Sequence, residues 1–291
     1  MQRIYKKWIP VFLAPSIIMY CFLYAMPFFT IVVTSFTKYK LTQKDITFIG
    51  FTNYINLFTK DITFKIALKN TAVWMILHVF LHVAIGIFMA LILYRKPRGW
   101  KFVRTVYMIP NIIASSAIGL IFLQLYNAEY GLVNQILKSL GLENLTRNWL
   151  FDTNTAFWSV TMIWFPFAGY TCTLVLARLL SISEEMFEAA KVEGANVLQI
   201  DWYISLPLAK DTIAATMIMA ASYMLTMFPL IYVTTGGGPG VTTTNLPLYL
   251  YKVAMLENDY GYANTIGIFI IIVGIVIMQI INRVMKVNEE V

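Results

Sequence analysis

Charge is scarce in this chain: only 13% of its 291 residues are Asp, Glu, Lys or Arg, whereas 59% are hydrophobic. With a mean hydropathy of +0.68, that balance excludes an ordinary soluble domain. Short loops between long apolar runs argue for one helical membrane unit, residues 1–291. Cysteine is nearly absent. Cys21 and Cys172 both fall in apolar runs, which leaves no disulfide framework and no reading of the redox compartment. Histidine occurs twice, as His78 and His82. Their spacing puts both on one helical face, but no carboxylate or cysteine joins them, so packing is expected there rather than metal binding. The chain also lacks internal repeats and low-complexity tracts.

Ionisable residues are missing where a coupled carrier needs them. The middles of the apolar runs contain no Asp, Glu, Lys or Arg. Proton- and sodium-coupled carriers bury such groups, or ion sites on broken helices, near the bilayer midplane. Their absence disfavours a secondary transporter and suits a chain whose energy comes from elsewhere. The one glycine-rich stretch, Thr235-Gly236-Gly237-Gly238-Pro239-Gly240, lacks the Lys-Ser/Thr ending of a phosphate loop, and the next lysine is Lys252. It is expected to be a flexible outer turn closing the fifth apolar span.

What the chain does contain is six spans, at about residues 8–36, 66–94, 106–125, 155–176, 212–233 and 262–282. The first follows Arg3, Lys6 and Lys7 but is too long for a secretory signal and has no small-residue cleavage site; a bend is expected near Pro27. Residues 50–54 predict a turn into a surface helix, and Trp149, Phe151 and Trp158 fit an interfacial belt. Six spans put both termini on one side. If that side is cytoplasmic it holds 13 of the 22 lysines and arginines, against 9 outside. The short cluster Arg95, Lys96, Arg98, Lys101 and Arg104 decides the orientation by the positive-inside rule. Topology thus accounts for the net charge of +7, which gives no support for a nucleic-acid partner.

Between the fourth and fifth spans lies a polar island, residues 182–210. Ser181 and Glu184 are spaced as a capping box, and two short helices are expected, over Glu184–Val192 and about residues 196–204, with Gly194 permitting the turn between them. Pro207 suits the first turn of the next long helix. Neither short helix has the ~20 apolar residues that crossing a bilayer takes, so the island sits at a membrane surface. Its small residues allow close approach, and Met186, Phe187, Leu198 and Trp202 offer apolar anchors to a partner.

Glu188-Ala189-Ala190, three further residues, Gly194 and then Leu206-Pro207 resemble the EAA coupling loop of ABC importer permeases, which dock on separate ATPase subunits. Two departures stand out: Asp201 occupies a position where the family often has Phe, with the aromatic shifted to Trp202, and Asp211 lies near a common Pro. The run TGGGPG followed by Asn245-Leu246-Pro247-Leu248-Tyr249 resembles carbohydrate permeases in particular. So do Asn53-Tyr54, Asn70-Thr71, Arg104 with Ile109-Pro110, and Tyr130-Gly131-Leu132-Val133-Asn134, so that the resemblance extends over nearly the whole chain.

The likeness is to the MalF-type member of a permease pair, without the large extra periplasmic domain of some relatives. It implies an all-α membrane protein of the type I ABC importer permease fold, with six transmembrane helices and a cytoplasmic coupling loop. It also implies a second, MalG-like permease, two ATPase subunits that bind the ATP and Mg, an extracytoplasmic sugar-binding protein, and a place in a bacterial or archaeal cytoplasmic membrane. No catalytic residue, metal or cofactor is expected in this chain. Coupling to the ATPase is assigned by resemblance to Glu188, Ala189, Ala190, Glu193, Gly194, Ala195, Leu206 and Pro207.

A transport path for sugar wants stacking aromatics and a few hydrogen-bonding groups. Span four offers Ile163, Phe167 and Tyr170 at helical spacing; span five offers Ala220, Tyr223, Met224 and Met227. In MalF-like relatives these stretches line a sugar site. Tyr170 matches a tyrosine of that site, while Ile163 and Met224 stand at its polar positions. The expected solute is a di- or oligosaccharide. The alternatives are another polar solute such as a glycerol phosphodiester, although an anion would want Arg or Lys that the middles of the spans lack, and an ion-coupled carrier.

Overall fold

A computed structural model describes residues 2–42 and 45–286, with side chains from residue 11 onward. Of the cations counted for orientation, Lys44 and the side chains of Arg3, Lys6 and Lys7 lie outside that description. Among the described residues four helices are long and apolar enough to cross a membrane: Val11–Ser35, Ile62–Tyr94, Ala156–Leu180 and Tyr260–Val284. Two bent pairs, Trp100–Ile112 with Ser115–Leu125 and Val197–Leu208 with Lys210–Thr226, make six if each pair is one span. The chain packs as two compact units, residues 1–62 with 249–272, and residues 63–248 with 273–291.

In the first unit the helix continues from Val11 to Ser35 through Pro27, where a bend was expected, with a wide π turn at Cys21–Ala25 just ahead of it. The predicted surface helix is present as Thr52–Thr59. Its Asn53 is buried and donates to the carbonyls of Ser35 (2.9 Å) and Thr37 (3.0 Å), fixing the chain where the first span ends in a short antiparallel hairpin. Nearby, Asp61 accepts hydrogen bonds from the hydroxyls of Tyr249 and Tyr262.

The second unit carries the features that bear on function. Its second and fourth spans cross at Gly86, where an added Cβ would lie 2.6 Å from the Cβ of Thr171, so the small residue sets the approach. Below that crossing Ala90, Leu93, Cys172, Val175, Leu176, Leu179, Ala209 and Ile213 form an apolar core. The glycine-rich run is not the flexible turn expected from its composition. Gly236, Gly237 and Gly240 adopt positive φ, and the hydroxyls of Thr235 and Thr243 meet at 2.6 Å. Asn70 donates to the carbonyls of Thr242 and Thr244, and Asn245 to that of Met227. Buried side-chain hydrogen bonds thus tie this loop to the second span.

Three spans are less regular than their apolar composition suggests. The third begins at Trp100 and turns by 97° at Ile113 and Ala114, both extended. The fourth leaves the helix at residues 165–168. The fifth is interrupted after Thr226 and resumes as Pro229–Thr234. An additional apolar helix, Leu246–Leu256, follows the glycine-rich loop.

Candidate transport cavity and coupling loop

The three interruptions border one cavity of about 320 Å³. Pro110, Asn111, Ile113 and Ser115 reach it from the bend in span three, Ile163, Trp164 and Phe167 from the break in span four, and Leu230 from the resumed helix of span five. Irregular backbone at membrane depth is tolerated where protein groups satisfy it or where it lines a cavity. Both conditions hold here. The Tyr107 hydroxyl donates to the Pro166 carbonyl (2.9 Å) and accepts from the Ala168 amide (3.2 Å). Asn245 covers the Met227 carbonyl at the other break.

Of the residues proposed from sequence to line the path, Ile163, Phe167, Tyr170, Ala220 and Tyr223 border this cavity. Met224 and Met227 do not. They are 1% and 2% exposed and pack inside the protein: the cavity face of helix Lys210–Thr226 runs through Thr216, Met219, Ala220 and Tyr223, which leaves Met224 one position off it, and Met227 lies past the helix end, in the break.

Two residues that the sequence assigned to packing are in the wall instead. Span two widens into a π turn over Leu77–His82, and His78 and His82 both line the cavity, their rings edge to face at 4.1 Å. His82 Nδ1 lies 2.9 Å from the Phe165 carbonyl, a geometry that places the ring proton on that nitrogen and braces the break in span four. His78 packs beside Trp164 (5.0 Å) and Tyr223 (5.4 Å). Asn111, Ser115, Thr171 and Thr216 complete the polar lining, and among the described residues no Asp, Glu, Lys or Arg borders the cavity. The i, i+4 histidine pair, the only histidines in the chain, was the available signal for this wall.

The polar island folds as two short helices. The first spans Glu184–Val192, and the chain then turns at Gly194, whose φ of +85° is a left-handed conformation that a Cβ resists. Ser183, not Ser181, stands at the N-cap position of the first helix, without a capping bond from its side chain; the Ser181 hydroxyl bonds the Arg178 carbonyl. The reciprocal capping box belongs to the second helix, where Asn196 and Gln199 bond each other's backbone amides. That helix runs on through a π turn to Leu208. Pro207 therefore lies in its final short segment, with Ala209 separating it from Lys210–Thr226, rather than in the first turn of the long helix.

Asp201 pairs with Arg95 at the end of span two, which accounts for a carboxylate where an aromatic is common: the loop is tethered by charge. Phe187 is turned inward against Tyr94 and offers no anchor. Met186, Leu198 and Trp202 are exposed, together with Glu188, Ala189, Glu193 and Gly194, while Ala190, Ala195, Leu206 and Pro207 are half-buried.

Residues 82–288 match the family described as the binding-protein-dependent transport system inner membrane component. The chain belongs to this family. It is 34% identical over 98% of both chains to the probable ABC transporter permease protein YurN of Bacillus subtilis. It is also 34% identical, over 94% of both chains, to the multiple sugar-binding transport system permease protein MsmF of Streptococcus mutans. Among solved structures, a chain of a bacterial ABC transporter involved in the import of alginate superposes with a TM-score of 0.84, covering 99% of this chain and 100% of that one at 24% identity. That likeness shows the fold, and the all-α permease architecture with its membrane location follows from family and fold together.

Proposed function

We propose that this chain is the MalF-like half of the translocation path of an ATP-driven importer for neutral di- or oligosaccharides. The observation that carries the reading is the cavity at three helix breaks, bordered by aromatic rings and uncharged hydrogen-bonding groups with no ionic residue among the described residues, in a chain whose exposed loop turns at a left-handed Gly194. Aromatic faces suit the C–H surfaces of a sugar, and uncharged donors and acceptors suit its hydroxyls. The sugar-permease relative supports the same class.

In this reading a second, MalG-like permease completes the path, and two ATPase subunits bind the ATP and Mg. An extracytoplasmic binding protein delivers the sugar, and both termini and the 182–210 loop are cytoplasmic. Closure of the ATPases on ATP then moves the loop and re-faces the cavity, a shift between two access states. Tyr170 and Phe167 contact the solute from span four, and Tyr223 and Ala220 from span five.

The test is uptake by the reconstituted complex in proteoliposomes, with and without enclosed ATP, for labelled maltose, trehalose, lactose, sucrose and glycerophosphocholine. At least one neutral sugar should accumulate only with ATP. Accumulation driven by a proton or sodium gradient without ATP, or of the phosphodiester alone, would reject the reading.

A further inference from the structure

The positions on spans four and five where polar contacts to a sugar were expected hold Ile163, which is aliphatic, and Met224, which does not reach the cavity. Hydrogen-bonding capacity is concentrated instead where span two meets the break in span four. There the helical ladder opens into the π turn Leu77–His82, a local geometry that recurs at functional sites. It sets His78 and His82 side by side. His82 is committed to the Phe165 carbonyl.

His78 is not committed. It is 7% exposed, and its Nδ1 has no hydrogen-bond partner among the described residues. The same holds for Nε1 of Trp164, 6% exposed, whose ring lies 5.0 Å from that of His78. A native protein leaves few buried polar atoms unpaired. Neither nitrogen is reachable from the cavity as the wall stands, so a cavity ligand becomes their partner when the two rings turn toward it.

We propose that His78 and Trp164 together bind a hydroxyl group of the neutral sugar, which makes His78 a specificity-determining residue of the path; this rests on the sugar-import reading above. The donor and acceptor chemistry selects the ligand. An indole N–H only donates, so the ligand atom must accept; the imidazole nitrogen accepts or donates according to tautomer. A hydroxyl does both, and one hydroxyl serves both nitrogens. A carboxylate or phosphate oxygen would also accept, but its charge would be buried in a wall with no Lys or Arg. The rings of Trp164 and Tyr223 flank His78 and supply apolar surface for the sugar's C–H face.

Because the chain contains two histidines and no more, ring-nitrogen spectra of a complex assembled from this chain labelled with 15N-histidine, on a histidine-free tag, and unlabelled partner subunits report on His78 and His82 alone. The complex is titrated with maltose, trehalose, lactose and sucrose, and the same sugars are used for uptake. The imported sugar should shift the His78 resonances and leave those of His82 nearly in place.

In parallel, His78→Phe keeps a ring but removes both nitrogens, whereas His78→Asn loses volume but keeps a polar atom near the Nδ1 position. Uptake below saturation should fall roughly 2- to 10-fold in His78→Phe, the equivalent of one hydrogen bond, and less in His78→Asn. A ring needed only for packing gives the opposite order. Wild-type uptake by His78→Phe, that opposite order, or a sugar that is imported without shifting His78 would overturn the proposal. Import of no neutral sugar by the wild-type complex would instead overturn the reading on which it stands.

Discussion

Where the fourth span leaves the helix, backbone groups lose their helical partners, and Tyr107 meets two of them with one hydroxyl. Removing that hydroxyl in Tyr107→Phe leaves the exposed Pro166 carbonyl and the amide of the buried Ala168 without it, and the buried amide alone costs about 1–3 kcal/mol when unsatisfied. The purified complex should therefore melt at a lower temperature, and uptake should fall with it; an unchanged melting temperature would mean that the break is held some other way. None of this was readable from Tyr107 itself, because its partners lie about sixty residues away. Local spacing did place Phe167, Tyr170 and Tyr223 near one cavity. It misplaced Met224 because a one-position rotation of a largely apolar helix leaves little trace in its pattern, and Met227 because the helix ends at Thr226. His78 and His82 were visible as a pair, but the π turn and the orphaned ring nitrogen that give the pair its meaning are tertiary facts.

The coupling loop was the most readable element, since Gly194 marks a turn that the backbone needs: its φ is +85°, and a Cβ there would meet nothing within 4 Å. A side chain at 194 is therefore opposed by backbone conformation and by whatever docks on the loop, not by crowding within the chain. Gly194→Glu carries a left-handed penalty of roughly 1–2 kcal/mol and adds a charge to the docking surface, whereas asparagine enters that conformation more readily. Co-purification of the ATPase should drop in Gly194→Glu and stay closer to wild type in Gly194→Asn, with both variants inserted in the membrane. Wild-type recovery of the ATPase with Gly194→Glu would remove this turn from the docking surface. The helix breaks were harder to read. Pro166 and Pro229 flank two of them, but the bend in span three falls at Ile113 and Ala114, which carry no helix-breaking signal; Pro110, the evident candidate, lies inside a helix.

Across the protein, apolar surface and the exposed coupling loop make sense together only in a complex that sits in a bilayer. Helix Val11–Ser35 buries none of its most apolar stretch within the chain, and Leu198 and Trp202 stand exposed on the coupling loop. Lipid suits the first; a cytoplasmic protein partner suits the second. Six spans and the cluster from Arg95 to Arg104 orient the loop to the cytoplasm in the proposed topology, and the Arg95 to Asp201 pair links the end of span two to the loop.

In the proposed function this loop is where ATP hydrolysis acts on the transport path, and a photo-crosslinking residue in place of Leu198, which is 77% exposed, tests that role directly in the assembled complex in its native membrane. Asn144, exposed on the loop assigned to the opposite side, serves as the comparison. The expected result is an adduct between position 198 and the ATPase subunit that strengthens or weakens with nucleotide, and none from position 144. Capture of the ATPase from position 144 and not from position 198 would contradict both the orientation and the coupling role.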